Sequence, residues 1–356
     1  MRGLEFPIIG TKIPHVTKKF DLTSPKGRKE YFKAKSGEEI RSLKKYLKKS
    51  NFIAYLIGKK NSGKGTYAKL FIEIFGEENV THLSVGDLVR EYGANWDRFS
   101  KSKSLVKLKS LYRGYVSFDE AIKQLLSRST KSLLPTEFIL ALLKLRIGEL
   151  KGKSIFVDGL PRELDQVSYS LFFRDLAGYT EAPDFFVLID IPEAVIDERI
   201  KYRVVCPLCN TSRNKKLLIT SKVGYDSKRR EFYLSCDNPS CNSARMEKKE
   251  GDELGIEPIR PRLIKDEEIL KSVFSLHGIG RILLRNHVPK GLAKKYFDDY
   301  ELTPEYVLKW DNSRKRVKVI EKPWTVVDDE GKESFSLMAP VVFISLLKQL
   351  AEVLNI

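Results

Sequence analysis

Residues 58 to 66 read GKKNSGKGT, and no other stretch limits the fold as tightly. A G-x-x-x-x-G-K loop holds phosphate through consecutive backbone N–H groups. That works only where a buried strand feeds the loop and a helix leaves it. Both flanks qualify: Phe52-Ile53-Ala54-Tyr55-Leu56-Ile57 is a continuous apolar run of strand length, and Tyr67 to Phe75 has the apolar recurrence of a helix. Further along, candidate strands at 52–57, 80–83, 154–157, 185–191 and 324–328 alternate with helical segments over 63–75, 136–147, 162–177 and 193–203. The alternation predicts an α/β fold with a P-loop three-layer core, a parallel sheet carrying helices on both faces. Ahead of it, the first fifty residues read as an appendage ending in a helix from Glu38 to Lys49, opened by Ser36 with Glu39 at capping-box spacing.

The four cysteines of this 356-residue chain are too few for a disulfide scaffold and fall in two close pairs, Cys206/Cys209 and Cys236/Cys241. Two such pairs in turn-forming contexts suit tetrahedral zinc. With four thiolates no coordination place is left open, so the spacing predicts a structural Zn2+. The apolar block Leu337 to Leu347 contains Pro340 and is too short to span a bilayer, and the stretch MRGLEFPIIG lacks a signal-peptide core. The expectation is therefore a cytoplasmic protein without a membrane partner. The net charge of +17 is concentrated, with 14 basic against 5 acidic residues in 1–50 and 9 against 3 in 97–131. Such runs attract polyanions. Without interleaved aromatics, a solvated basic surface accounts for them better than nucleic-acid recognition does.

Four ordered motifs narrow the phosphate chemistry: GKGT at 63–66, Ser84-Val85-Gly86-Asp87 with Arg90, Asp158-Gly159-Leu160-Pro161-Arg162 with Gln166, and Arg199-x3-Arg203 leading into the first cysteine pair. Together they resemble the adenylate kinase and nucleoside monophosphate kinase family. The resemblance covers about residues 50–275 and the last thirty. It implies a division into a basic N-terminal extension (1–50), core (51–89), acceptor-binding insertion (90–144), core (145–203), zinc-binding lid (204–262) and core again (263–356), the last carrying a divergent insertion over 278–323. It also implies ATP and a nucleoside monophosphate as partners, Mg2+ as cofactor and a monomer. Gly58, Asn61, Ser62, Gly63, Lys64, Gly65 and Thr66 would hold the donor phosphates. Thr66 and Asp158 would manage magnesium, Asp158 through water. Val85, Gly86, Arg90, Leu134, Gly159, Arg162 and Gln166 would form the acceptor site, with Gln166 reading the base. Arg199 and Arg203 would hold the donor, and Arg262, in a segment like the family's E-P-L-I-Q-R, would meet transition-state charge.

The departures are specific. Val85 stands where adenylate kinases commonly have Thr, the aspartate pair after the lid arginine is replaced by Leu263-Ile264-Lys265, and Val273 stands where a second arginine is expected. Arg281 and Arg285 are candidates to return the missing cation. A different class remains open: a nucleic-acid-binding P-loop protein whose basic N-terminus and cysteine knuckles grip RNA.

Overall fold

The structure, a computed structural model, describes residues 3–14, 18–127, 134–150, 152–164, 166–167 and 181–356. Most of the expected helix 162–177 lies outside those residues. Strand β1 (Ile53–Gly58) is buried at every position and sits mid-sheet, as its unbroken apolar run requires. Helix α2 (Lys64–Phe75) follows it, then β2 (Val80–Ser84), α3 (Val85–Ala94), α4 (Thr136–Ile147), β3 (Ser154–Asp158), β4 (Asp184–Asp190) and α5 (Glu193–Lys201). After the cysteine-containing module come α6 (Arg260–Phe274) and β5 (Gly280–Arg285). The five strands form one sheet in the order β5-β4-β1-β3-β2, paired parallel throughout. The chain runs from β1 to β2 and β3 on one side of β1 and then crosses to β4 and β5 on the other, so the carboxyl end of β1, where the glycine loop begins, lies at the switch point at which such sheets bind ligands.

One strand was expected elsewhere. The fifth member of the sheet is Gly280–Arg285, inside the stretch set apart as divergent, whereas Thr325–Val327 belongs to a small antiparallel sheet with Glu333–Ser336 and His287–Pro289.

The N-terminal segment is packed into the core. Helix α1 (Pro25–Leu47) begins well before Glu38 because Ser24 caps it, accepting a hydrogen bond from Gly27 N at 3.1 Å, and Pro25 takes the first turn. Ser36, expected to start the helix, instead marks a non-helical kink within it. Tyr31 and Phe32 are fully buried, and Phe32 meets Phe343 of the last helix, α7 (Ala339–Val353), at 5.1 Å between ring centroids. A polar knot fastens this layer to residues 298–301. The buried Glu301 carboxylate accepts from Thr11 Oγ1 (2.7 Å), Tyr31 Oη (2.7 Å) and Asp298 N (2.7 Å), and Lys35 Nζ lies 3.6 Å away. The ammonium of Lys35 itself donates to Thr11 O at 2.8 Å and pairs with Asp298 at 3.1 Å. A buried charge is tolerable only with this density of partners.

The cysteine module fills the chain between α5 and α6, and includes the hairpin of β6 (Val223–Asp226) and β7 (Glu231–Leu234). A longer hairpin, β8 (Pro304–Asp311) with β9 (Arg316–Pro323), lies beside it. Tyr225 stacks on Trp310 at 4.9 Å and 25°, and Tyr306 N donates to Lys216 O at 2.7 Å. Lys216 Nζ pairs with Glu198 (2.6 Å) and Glu305 (3.6 Å) and lies over the Trp324 ring.

Glu301→Ala removes one of the two carboxylates beside the buried Lys35 ammonium and the shared acceptor of Thr11, Tyr31 and Asp298 N, leaving Lys35 with Asp298 and Thr11 O. The expected loss, read by urea denaturation, is about 3–5 kcal/mol, in the range for removing one member of a buried ion pair. A loss under about 1 kcal/mol would show that the N-terminal layer is held by apolar packing alone.

Candidate phosphate-binding site

The glycines of the loop answer to steric demands that can be read atom by atom. A Cβ at Gly58 would lie 2.8 Å from Ser62 Oγ and 3.1 Å from Ile189, so β1 must end in glycine for the loop to turn back over it. Gly63 has φ 101° and Asn61 φ 65°, left-handed values that glycine and asparagine tolerate best. The curled loop directs its Lys64 inward, where Nζ donates to Gly58 O at 2.8 Å and Lys59 O at 3.2 Å, 4.0 Å from Asp158 Oδ1. Thr66 is exposed in the first turn of α2, and Gly65 passes His82.

Around this loop the structure gathers Lys64, Arg162 and Arg262, with Asp158 and Asp266 as the counter-charges beside them. Burial lowers the proton affinity of Lys64, and Arg262 and Arg162 lower it further, against the pull of Asp158 and Asp266. Arg162 is likewise pushed down, first by burial and then by Arg262. The buried Arg162 Nε and Ser62 Oγ have no hydrogen-bond partner among the described residues. Three like charges and idle donors at a helix N-terminus form an anion site.

Other expected residues are less uniformly disposed. Arg199, half-buried, reaches Asn61 O and Asn286 Oδ1, each at 3.4 Å, and so lies over the loop. Arg203 does not share its face: α5 ends at Lys201, Arg203 opens a short strand, and its guanidinium grips Asp252 in a bidentate pair at 2.6 and 2.7 Å. Gln166 is also engaged, accepting from Arg162 N at 2.8 Å and donating to Thr136 Oγ1 at 3.0 Å, so its amide braces Arg162 rather than standing free for a base. Val85 is buried beside Gly159, whose φ is 89°, and an added Cβ there would meet Val85 at 3.4 Å. Gly86 lies under Arg90, which is exposed and paired with Asp87, and Leu134 joins the apolar cluster below. Of the replacement cations, Arg281 donates to Phe274 O and covers that ring, while Arg285 turns toward Phe6 O and His287; neither takes part in the Lys64 cluster.

Three features went unread in the sequence. Asp266 accepts from Lys60 N at 2.8 Å and binds Arg262 Nε at 2.8 Å, one helical turn after Arg262 and directly after the Leu263-Ile264-Lys265 that replaces the expected aspartates. The i, i+4 spacing of Arg262 and Asp266 was the available signal. Lys59, nearly fully buried, is held by Glu193 (2.9 Å), Glu267 (3.1 Å) and Asp329 (3.2 Å). The Asn286-His287 pair closes the far side: the Asn286 amide donates to Tyr67 Oη at 3.5 Å, and His287 sits between Asp190 and Asp328.

In the cysteine module the four Sγ atoms lie within 4.8 Å of one another, with Cys209 and Cys236 3.6 Å apart. A tetrahedral zinc with Zn–S near 2.3 Å needs S···S separations of about 3.8 Å, so the donor set fits that ion.

No family model matches the chain. Similarity to individual proteins is clear. Over 165 residues the chain is 30% identical to the adenylate kinase of Thermotoga petrophila, covering 46% of this chain and 64% of that one. It is 30% identical to the adenylate kinase of Clostridium tetani over 171 residues, 48% of this chain and 67% of the relative. It is 29% identical to that of Clostridium acetobutylicum over 241 residues, 64% and 93% of the two. The chain thus spans just under two thirds of the Thermotoga relative's length. A parallel sheet ending in a glycine loop beneath clustered cations defines a P-loop nucleotide-binding fold. With these relatives, the chain belongs to the adenylate kinase family.

Burial holds His82 and His287 below the ordinary histidine range, against the attraction of Asp158 and Asp190 respectively. The unfolded chain therefore takes up protons near pH 6.5 that the native chain refuses, and stability falls as pH drops from about 7 to about 5. His287→Gln should flatten that part of the melting-temperature profile. An unchanged slope would remove His287 from the linkage.

Proposed function

We propose that the chain is an ATP-dependent nucleoside monophosphate kinase whose preferred acceptor is AMP, converting ATP and AMP to two ADP. The carrying observation is the convergence of Lys64, Arg162 and Arg262 on a glycine loop whose Ser62 Oγ, like Arg162 Nε, has no hydrogen-bond partner among the described residues. An acceptor phosphate oxygen forms a bond to the γ-phosphorus as the bond to the β–γ bridging oxygen breaks. Positioning and charge neutralisation are the protein's main contribution to such a step. In this reading the loop N–H groups from Gly58 to Thr66 cradle the donor, Lys64 follows the transferred group, and Arg199 lies over the donor side. Arg162, braced by Gln166, holds the acceptor phosphate with Arg90, and Arg262, oriented by Asp266, faces the developing charge. Thr66, and Asp158 through water, would hold Mg2+, which when bound would supply charge neutralisation for the transferring phosphates. Asp158 suits this because its half-buried carboxylate is contacted only loosely, by Lys64 at 4.0 Å and His82 at 3.9 Å. The cysteine module acts as a lid with a structural Zn2+ held by Cys206, Cys209, Cys236 and Cys241.

Coupled assays over AMP, GMP, CMP, UMP and dTMP with saturating ATP test the reading. AMP should be the best acceptor, with measurable turnover of a second monophosphate because Val85 offers no hydroxyl for discrimination. Lys64→Ala should cost about 100-fold or more in turnover with the melting temperature unchanged. Turnover within tenfold of the parent would dismiss the assignment.

Elemental analysis should find one zinc per chain, and Cys241→Ser should lower the melting temperature, since metal affinity contributes to folding free energy. Metal-free protein with parental stability would remove zinc from the scheme.

A further inference from the structure

Two hairpin turns far apart in sequence are built alike. Tyr225-Asp226-Ser227-Lys228-Arg229-Arg230 joins β6 to β7, and Trp310-Asp311-Asn312-Ser313-Arg314-Lys315 joins β8 to β9. In each, an aromatic residue precedes an aspartate whose Oδ1 accepts from the backbone two and three residues on. Those bonds run from Lys228 and Arg229 to Asp226, and from Ser313 and Arg314 to Asp311, all at 3.1 Å. Four residues after the aspartate, each turn has positive φ, at Arg230 (52°) and Lys315 (46°). Glycine or asparagine would occupy that conformation at lower cost, yet both turns put a long cation there.

The aromatic residues bring the turns together. Tyr225 and Trp310 stack on each other one residue before each turn, with Phe232 4.9 Å from Tyr225 on the module side, so both tips stand at the same end of the paired hairpins. Lys228, Arg229 and Arg230 from one turn and Arg314, Lys315 and Arg316 from the other are all exposed, and none makes an ion pair among the described residues. On the flanks of the same hairpins, by contrast, Lys216 and Arg245 are paired. Gathering six unpaired cations on two prongs costs repulsion unless a polyanion neutralises them. The aromatic rings at their base are half-exposed, whereas Phe6, Phe20, Tyr31 and Phe32 of the basic N-terminal segment are buried.

We propose that the twin tips form a second binding site, separate from the glycine loop, that grips the backbone of single-stranded nucleic acid, with bases resting against the aromatic base of the prongs. The partner is a single strand because the two prongs can track a flexible backbone and because stacking on aromatic edges needs unpaired bases.

The test is fluorescence anisotropy of the full chain with labelled mixed-sequence RNA and DNA single strands of about twenty nucleotides, across a salt series. Parental protein should bind, and saturating ATP should not displace the strand. Arg229→Gln with Arg230→Gln, and separately Arg314→Gln with Arg316→Gln, should each weaken binding at least tenfold. Each pair should also lower the salt slope by about 1.4, two phosphate contacts' worth. Lys44→Gln with Lys45→Gln, equally exposed on α1, should leave binding unchanged. Having two independent tip variants guards against a local folding defect in either. Any of five results overturns the proposal: no binding by the parent, parental affinity in both tip variants, displacement by ATP, equal weakening by the α1 pair, or binding to anionic lipid vesicles in place of either strand.

Discussion

The site depends on a buried ammonium that touches no phosphate. Lys59 occupies the second position of the glycine loop, and its Nζ meets carboxylates from α5, α6 and the turn at Asp329. Each brings a further partner: Glu193 faces Arg260 at 3.8 Å, Glu267 faces Lys271 at 2.9 Å, and Asp329 accepts from Glu193 N at 2.9 Å. The carboxylates hold Lys59 firmly protonated against its burial. Removing it would leave three acidic groups facing one another at the heart of the molecule, a several-kcal/mol penalty. Through this charge the loop is fixed to helices on both sides of the cysteine module and to the chain's last third.

What the sequence disclosed, it disclosed locally. The glycine loop, β1 to β4 and α2 are contiguous patterns whose apolar runs leave one reasonable reading, and the cysteine pairs stand close enough to be recognised as one donor set. The fifth strand escaped because Gly-Arg-Ile-Leu-Leu-Arg is an edge strand with one half-exposed face, while Trp-Thr-Val-Val further on is the more apolar stretch. The choice between them rests on pairing with β4, which propensity does not report. Arg203 shows the same limit at a single residue: its spacing from Arg199 suits one helix face, but the helix stops two residues earlier and Asp252 decides where the guanidinium goes.

The N-terminal layer was misjudged for a related reason. Ser24-Pro25 looks like loop punctuation, yet serine followed by proline is also the chemistry of a helix start. Whether it opens a helix or a turn is settled by the burial of Tyr31 and Phe32 against partners roughly three hundred residues away, beside Glu301 and Phe343. A segment with 14 cations can therefore be structural where its apolar residues, rather than its charges, face inward.

The Tyr225–Trp310 stack has a mechanical consequence. The cysteine module is entered from α5, to which Lys216 and Asn214 tie it, and is left through Glu257–Ile259. Here it is moored at a third point. Swinging away either drags β8 and β9 as ballast or parts the two rings and pulls the Tyr306 amide from Lys216. An aromatic pair is worth about 0.5–1.5 kcal/mol beyond its buried area, enough to bias a moored-to-unmoored ratio by roughly two- to tenfold. The strength of the tie between hairpin and module is thus set in part by two rings that lie apart from both the glycine loop and the four thiols.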